Sequence, residues 1–158
     1  MHPRAEEFKR QAEAEHGIDI DVHEFPEGTK TAADAAEAVG CATAQIASGI
    51  VLEADGDIIL SVTSGANRVN TAEIAALVGV DESAVSMADP DGIKATLGWS
   101  IGGVPPFCHA NAVPTFLDES LTEFDEVWAA AGTPEAVFPI DPETLAEIAG
   151  ATVAEVRE

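Results

Sequence analysis

A hairpin signal in the first half of the chain constrains the fold more than any other feature. Residues 46–53 and 58–63 are two apolar runs separated by the sequence ADGD. An Asp-Gly pair between such runs is a strong signal for a tight turn that joins antiparallel strands. We therefore expect an antiparallel strand pair at these positions, with the other elements arranged around it.

Repeated capping signals predict short helices. Thr31, Asn70 and Asp89 each precede a short apolar segment that a glycine follows, which is typical of a helix with an N-cap and a C-terminal glycine. Proline stands directly after Asp89, a position that favours the first turn of a helix. We also predict a helix at about residues 3–15 and a final helix at residues 142–149.

Several further segments have the composition of strands. In residues 17–25 the apolar Ile18, Ile20 and Val22 alternate with polar residues, which indicates a half-buried strand. The other predicted strands lie within residues 84–88, 112–118, 126–132, 135–140 and 152–158, the last as an edge strand. Helices are scattered among strand pairs that short turns join. We therefore expect an α+β (mixed α/β) fold: a single compact domain over residues 1–158, with a curved mixed, largely antiparallel sheet and surrounding short helices.

The charge of the chain restricts its partners and its surroundings. There are 29 acidic residues against 7 Lys and Arg, a formal net charge of -22, and the acids are spread along the chain. No basic stripe is available to neutralise phosphates, so we expect no DNA partner. Molar salt screens such self-repulsion, which suggests a halophilic protein. The sequence shows neither a transmembrane span nor a signal peptide, so we expect a cytoplasmic protein with no membrane partner; the oligomeric state stays open.

The segment at residues 98–119 is costly to keep ordered. It contains the pairs Gly102 and Gly103, then Pro105 and Pro106. Glycine loses much backbone entropy on ordering, and proline has no N–H to donate. The loop is either a rigid turn that the fold requires, or a backbone device whose N–H groups point at a ligand carbonyl or its oxyanion.

Other kinds of catalytic site have weak support. Cys108 and His109 are adjacent, whereas a structural zinc site needs about four ligands in spaced pairs, so we expect neither metal nor cofactor. His109 fits a hydrogen-bonding loop residue or a proton carrier. There is no GxSxG nucleophile motif and no phosphate-binding loop. The remaining histidines lie near the N-terminus with no cysteine at a matching spacing: His2, His16 and His23.

Several segments together resemble one known family. They are GGVPPFCH, VPTFLDESL and EVWAAAGTPEAVFPIDPETLAEIAGATVAEV in the second half, and TAADAAEAVGCATAQIASGIVLEADG and SGANRVN in the first. This combination resembles the YbaK-type aminoacyl-tRNA editing domain, a family of trans-acting deacylases related to the editing insertion of bacterial prolyl-tRNA synthetases. The likeness runs from about Thr31 to the C-terminus.

The resemblance implies a pocket that accepts the aminoacyl end of a mischarged tRNA and hydrolyses its ester without metal or cofactor. The implied substrate carries a small amino acid, cysteine or alanine, typically on tRNA(Pro). Gly102, Gly103 and Ser48 are the implied catalytic positions. The remaining candidates, to which we add His109, are assigned to substrate binding: Pro105, Pro106, Asp118, Gly132, Ser64, Asn67, Arg68 and His109.

Two departures from the family pattern bear on activity. Ser48 and Gly49 stand where the family typically has a lysine followed by Ser or Thr, and Cys108 stands where many relatives have glycine. A serine hydroxyl offers only a neutral hydrogen bond of about 1 kcal/mol, whereas a lysine carries a charge. The alternative to a deacylase is therefore a non-catalytic binding module that keeps the fold and has lost the lysine.

The charge density predicts that stability depends on salt. We expect the urea midpoint of unfolding to rise between about 0.1 M and about 1 M KCl and then level off, because the Debye length has fallen to about 3 Å at 1 M. A midpoint that does not change with KCl would contradict the screening argument. A midpoint that keeps rising beyond 1 M would indicate salt exclusion instead.

Overall fold

The computed structural model describes residues 1–25 and 31–158. The helices are α1 (Pro3–His16), α2 (Ala32–Val39), α3 (Thr71–Val78), α4 (Pro90–Leu97) and α5 (Pro142–Ala149). The strands are β1 (His23–Glu24), β2 (Ile46–Ala54), β3 (Asp57–Ser64), β4 (Val85–Met87), β5 (Thr115–Asp118), β6 (Val127–Ala130), β7 (Ala136–Ile140) and β8 (Thr152–Ala154). No described helix combines the length and the apolar character that crossing a membrane requires.

The predicted caps are confirmed. Thr31 accepts a hydrogen bond from the amide of Asp34, and Asn70, Asp89 and Asp141 cap α3, α4 and α5 in the same way. Each helix ends at a glycine in the left-handed conformation. Local capping chemistry therefore determines where the short helices begin and end.

All eight described strands form one mixed sheet. The order is β1-β7-β6-β2-β3-β5-β8. The short strand β4 lies off this path and pairs with β2 on the edge that faces away from β3. The predicted hairpin forms its centre, with β2 and β3 paired from Ala47 opposite Ser64 to Ala54 opposite Asp57. Four strand pairs are antiparallel and three are parallel. The expected α+β domain with a mixed, largely antiparallel sheet is confirmed.

The strand predicted in residues 17–25 is wrong over most of its length. Only His23 and Glu24 pair with β7. Ile20 is 2% exposed, and Ile18 and Val22 pack against the same core without pairing to a strand. The alternating pattern correctly indicated which side chains are buried. Burial does not by itself require that the backbone pairs with a neighbouring strand.

An aromatic cluster fastens α1 to the sheet and to the segment that follows α4. The Phe8 ring lies 5.4 Å from Phe107, 5.2 Å from Phe138 and 6.0 Å from Trp99, measured between centroids. Phe8 is fully buried. The N-terminal helix is therefore part of the main core. Through Phe8 it also packs against Trp99 and Phe107 of residues 98–109, which we call the Gly-Pro loop.

Removal of the Phe8 ring tests this role. We expect Phe8→Ala to lower the free energy of unfolding by about 3–5 kcal/mol, because it leaves a cavity among three aromatic rings. The measurement is urea unfolding in molar KCl. Leu77→Ala, at a position that is 41% exposed on α3, is the control and should cost no more than about 0.5 kcal/mol. Equal effects of the two substitutions would mean that α1 is not part of the cooperative unit.

Candidate functional site

A pocket lies along the edge of β2 that faces away from β3, at the point where this edge has no neighbouring strand. On that edge β6 pairs with Ile46 and Ala47, and β4 pairs with residues 52–54. Between them, around Gly49, a cavity of about 330 Å³ opens. Its lining is formed by Thr31, Ala32, Ala35, Ile46, Ala47, Ser48, Gly49, Ile50, Val51, Met87, Ala88, Ile93, Ile101, Gly102, Val104, Trp128, Ala130, Pro134, Ala136 and Val137.

The backbone of Gly49 faces this gap. The amide of Gly65 donates to the carbonyl of Ile46, which therefore points toward β3, and the amide of Ala88 donates to the carbonyl of Val51, which points the other way. Peptide groups alternate in direction along an antiparallel strand. The N–H and C=O of Gly49 consequently point away from β3 and offer a ligand one donor and one acceptor.

Position 49 requires glycine because the loop approaches it closely. A Cβ at this position would lie 2.9 Å from the carbonyl oxygen of Val104, which is too close for any side chain. Val104 is buried and lines the pocket. The departure from the family pattern at Gly49 therefore accompanies direct contact between β2 and the Gly-Pro loop.

The two adjacent glycines of the loop have different surroundings. Gly102 lines the pocket with φ +87, a conformation that other residues adopt only with strain. Gly103 donates its amide to Ser100, and a Cβ on it would lie 2.7 Å from Thr133 Cα. Within residues 1–25 and 31–158, the amides of Gly102 and Val104 donate to no other residue. These two N–H groups are the loop's candidate donors to a ligand.

The rest of the loop is a buried support. Pro105 and Pro106 are buried and lie outside the pocket lining. His109 donates Nε2–H to the carbonyl of Pro105 at 2.7 Å, and burial lowers the pKa of its imidazole, which favours the neutral form. The indole of Trp99 donates to the carbonyl of Cys108 at 2.9 Å. Both hydrogen bonds hold the backbone of the loop in place.

Gly132 lies behind the loop. Its φ is +93, and a Cβ would meet the Trp99 ring at 2.8 Å and the carbonyl of Arg4 at 2.9 Å. The Arg4 guanidinium lies 4.1 Å from the centroid of the Trp99 ring and donates to the carbonyl of Gly98. Gly132 therefore makes room for the packing of α1 and Trp99, and it does not line the pocket.

Asp118 organises a second group of predicted residues. Its carboxylate is fully buried and accepts hydrogen bonds from the amide of Ser64 at 3.1 Å, from the side chain of Asn67 at 3.0 Å and from the amide of Ser120 at 3.0 Å. Burial alone would raise the pKa of Asp118, but these hydrogen bonds outweigh it and lower the pKa below its usual value. The ionised carboxylate fixes the loop after β3 and lies outside the pocket lining.

A second cavity, of about 370 Å³, lies on the other side of Ser48. The loop after β3 contributes Ser64, Asn67 and the exposed Arg68 to its lining. Ser48 lines both cavities, as does Met87, which is 60% exposed. Of the predicted site residues, Gly102 lines the first cavity, Ser64, Asn67 and Arg68 line the second, and Ser48 lines both and lies on the ridge between them. The other predicted positions line neither cavity: Gly103, Pro105, Pro106, His109, Asp118 and Gly132.

The described lining of the first pocket carries no charge. No ionisable side chain appears among its described lining residues, and Thr31 and Ser48 carry its only hydroxyl groups there. Sequence reasoning missed Val104 and Trp128 as lining residues, because they are apolar residues of kinds common in any core. Gly49 was noted only as a departure from a pattern, although a glycine inside a strand signals close approach of another backbone.

Comparison with known proteins identifies one family whose model matches most of the chain. A model of the aminoacyl-tRNA editing domain matches residues 26–148. The uncharacterized protein YwhH of Bacillus subtilis (strain 168) is 30% identical over 128 residues, 80% of each chain. A solved structure described as a putative trans-editing enzyme for prolyl tRNA synthetase is 36% identical, with a TM-score of 0.93 over 100% of this chain and 99% of that one. A hypothetical protein of known structure, 24% identical with a TM-score of 0.84 over 96% and 99% of the two chains, shares the fold.

Substitution of Asp118 tests its supporting role. All three partners of the Asp118 carboxylate donate hydrogen bonds to it. The variant Asp118→Asn places an N–H donor against these donors. We therefore expect the variant to lower the free energy of unfolding by about 1–3 kcal/mol at pH 7. A lowered folded-state pKa means that the charge stabilises the fold above the unfolded pKa of about 3.9 and stops doing so as pH falls through the folded value. The difference between the natural chain and the variant should therefore shrink below about pH 4.

The control for this measurement is Asp125→Asn, at an exposed position. Urea unfolding at several pH values should show no comparable difference for it. A stability difference for Asp118→Asn that stays constant from pH 7 to the acid limit would contradict the role assigned to its charge.

Proposed function

The chain belongs to the aminoacyl-tRNA editing domain family, and on that premise we propose that it is a trans-acting deacylase for a mischarged tRNA that carries a small amino acid, cysteine or alanine, typically on tRNA(Pro). The observation that carries the proposal is the pocket beside Gly49, where the backbone of β2 lacks a strand partner and the described lining is mostly apolar. The relative described as a putative trans-editing enzyme for prolyl tRNA synthetase supports the choice of tRNA.

The size and lining of the pocket favour a small aminoacyl group. Its volume of about 330 Å³ is at the lower end of the range for ligand pockets. Small side chains in the lining leave space for a ligand: Ala35, Ala47 and Ala130. The side chains of Trp128 and Ile93 add apolar surface. Alanine or cysteine would bury a short side chain there without leaving a charged group unpaired.

Backbone groups supply the chemistry in this proposal. An aminoacyl ester is already activated, so holding it in the right orientation and stabilising the developing oxyanion contribute most of the catalysis. The amides of Gly102 and Val104 donate to the carbonyl oxygen of the ester, where the oxyanion develops. The carbonyl of Gly49 accepts a hydrogen bond from the α-ammonium group. Because the described lining has no acid or base, the neighbouring hydroxyl of the terminal ribose carries the proton from the attacking water to the leaving oxygen.

The second cavity receives the terminal nucleoside of the tRNA. It adjoins the first at Ser48, so an ester bond can lie over this ridge with the amino acid on one side and the ribose on the other. Arg68 is exposed at this cavity and can meet a backbone phosphate. The contact with tRNA is confined to the acceptor end, because a surface with a net charge of -22 repels the rest of the phosphate backbone.

One observation favours the second candidate, a non-catalytic binding module. Ser48 occupies the ridge where the resemblance places a lysine, and its hydroxyl can offer only a neutral hydrogen bond to the ester or the ribose. In the module, the same two cavities would bind an aminoacyl or nucleoside group without turnover.

A pocket-filling substitution tests the deacylase. The assay measures release of radiolabelled Ala, Cys, Ser and Pro from tRNA(Pro) in molar KCl. We expect release of one noncognate amino acid, and a loss of at least tenfold in kcat/KM for Ala130→Leu, because three added carbons occupy the acyl cavity. The control is Ala76→Leu, at an exposed position on α3, which should keep full activity. Equal activity of the two variants would place hydrolysis outside this pocket.

Variants at Ser48 separate the two candidates. For a deacylase, Ser48→Ala should lower kcat/KM by about 2–12-fold, the value of one neutral hydrogen bond. If the natural chain releases nothing from any tRNA while Ser48→Lys creates release, the chain is the binding module.

A further inference from the structure

Three side chains capable of binding a metal meet outside the pocket, at the C-terminal end of α1. Glu15, His16 and Cys108 each direct one ligand atom into a space where all three atoms lie within 4.8 Å of one another. Glu15 and His16 are exposed, Cys108 is buried, and none of the three lines either cavity described above. The sequence has no cysteine at a matching spacing from His16, but the fold brings Cys108 beside it.

The chemistry of the three ligands selects a class of ion. A thiolate, an imidazole and a carboxylate together suit zinc, whereas magnesium and calcium prefer oxygen ligands throughout. Zinc binds these atoms at about 2.0–2.3 Å, which places tetrahedral ligands about 3.5 Å apart. Binding of the ion therefore requires the ligand atoms to move closer together by about 1 Å, and the exposed side chains of Glu15 and His16 are the ones with room to move. We propose that Glu15, His16 and Cys108 form a zinc site that links α1 to the Gly-Pro loop, with water in the fourth position.

The backbone at Cys108 independently marks this position as unusual. Its φ is +65, in the left-handed region where a non-glycine residue is strained. A Cys here costs backbone energy that a glycine would not. Retaining a thiol despite this strain is consistent with a role for the sulfur.

The same residues already connect the two elements. The ring of His16 lies 5.6 Å from that of Phe107, directly before Cys108, and the indole of Trp99 holds the carbonyl of Cys108. Burial and the charge of Glu15 raise the pKa of the Cys108 thiol to about 12, so the thiol is protonated without metal. Binding of the ion therefore forms a metal–sulfur bond and releases one thiol proton to the buffer. The ion would fasten the loop opposite the side that faces the pocket.

Cobalt titration of the full chain tests the site. Co²⁺ bound to a thiolate gives a sulfur-to-metal charge-transfer band in the near ultraviolet, which surface carboxylates do not give. Excess Mg²⁺ occupies the acidic surface, and a phosphine reductant keeps the thiols reduced. We expect the band to saturate at one ion per chain and to disappear when Zn²⁺ is added.

Variants identify the ligands. Cys108→Ser should abolish the band, and His16→Gln, at an exposed position that does not endanger folding, should weaken Co²⁺ affinity at least tenfold. The matched controls are Cys41→Ser and His23→Gln, which should leave the titration unchanged. No band in the natural chain, a band that survives Cys108→Ser, or an unaltered affinity in His16→Gln would each overturn the proposal. None of these outcomes depends on deacylase activity.

Discussion

The central strand β2 is paired with β3 from end to end along one edge, whereas along its other edge only the two ends are paired. A strand in the middle of a sheet normally satisfies its backbone groups on both sides. Here β6 and β4 leave a gap at Gly49, and the carbonyl of Val104 approaches the strand at that point. The gap creates the pocket beside Gly49 and also supplies polar groups to it, since the peptide left without a strand partner faces the cavity.

The shape of the gap depends on the Gly-Pro loop, which several contacts hold in a fixed position. Residues 98–109 are fixed by the hydrogen bonds of Trp99 and His109, and by the ring of Phe107 against α1. The predicted substrate-binding positions in this part of the chain, Pro105, Pro106 and His109, therefore lie outside the pocket lining. They hold Gly102 and Val104, which line the cavity, and Asp118 does the same for the loop that borders the second cavity.

Charge is distributed unevenly between the surface and the pocket. The chain has a net charge of -22, yet the described lining of the pocket beside Gly49 contains no ionisable side chain. In the proposed reaction, backbone dipoles orient the ester there, and no charge of a described lining residue competes with them. In the proposed function, the same acidic surface limits how much of the tRNA can approach, so that recognition is concentrated at the acceptor end.

The sequence by itself determined the local elements: Thr31, Asn70, Asp89 and Asp141 start the helices, and Asp55 with Gly56 makes the turn of the hairpin. These features depend on neighbours within a few residues, which a sequence displays directly. Tertiary structure alone decided which candidates face the pocket: it placed Gly102 at the cavity but turned Gly103, Gly132 and Asp118 into supports. It also brought His16, near the N-terminus, beside Cys108. Such contacts join residues far apart in the chain, and their geometry depends on the packing of the whole core.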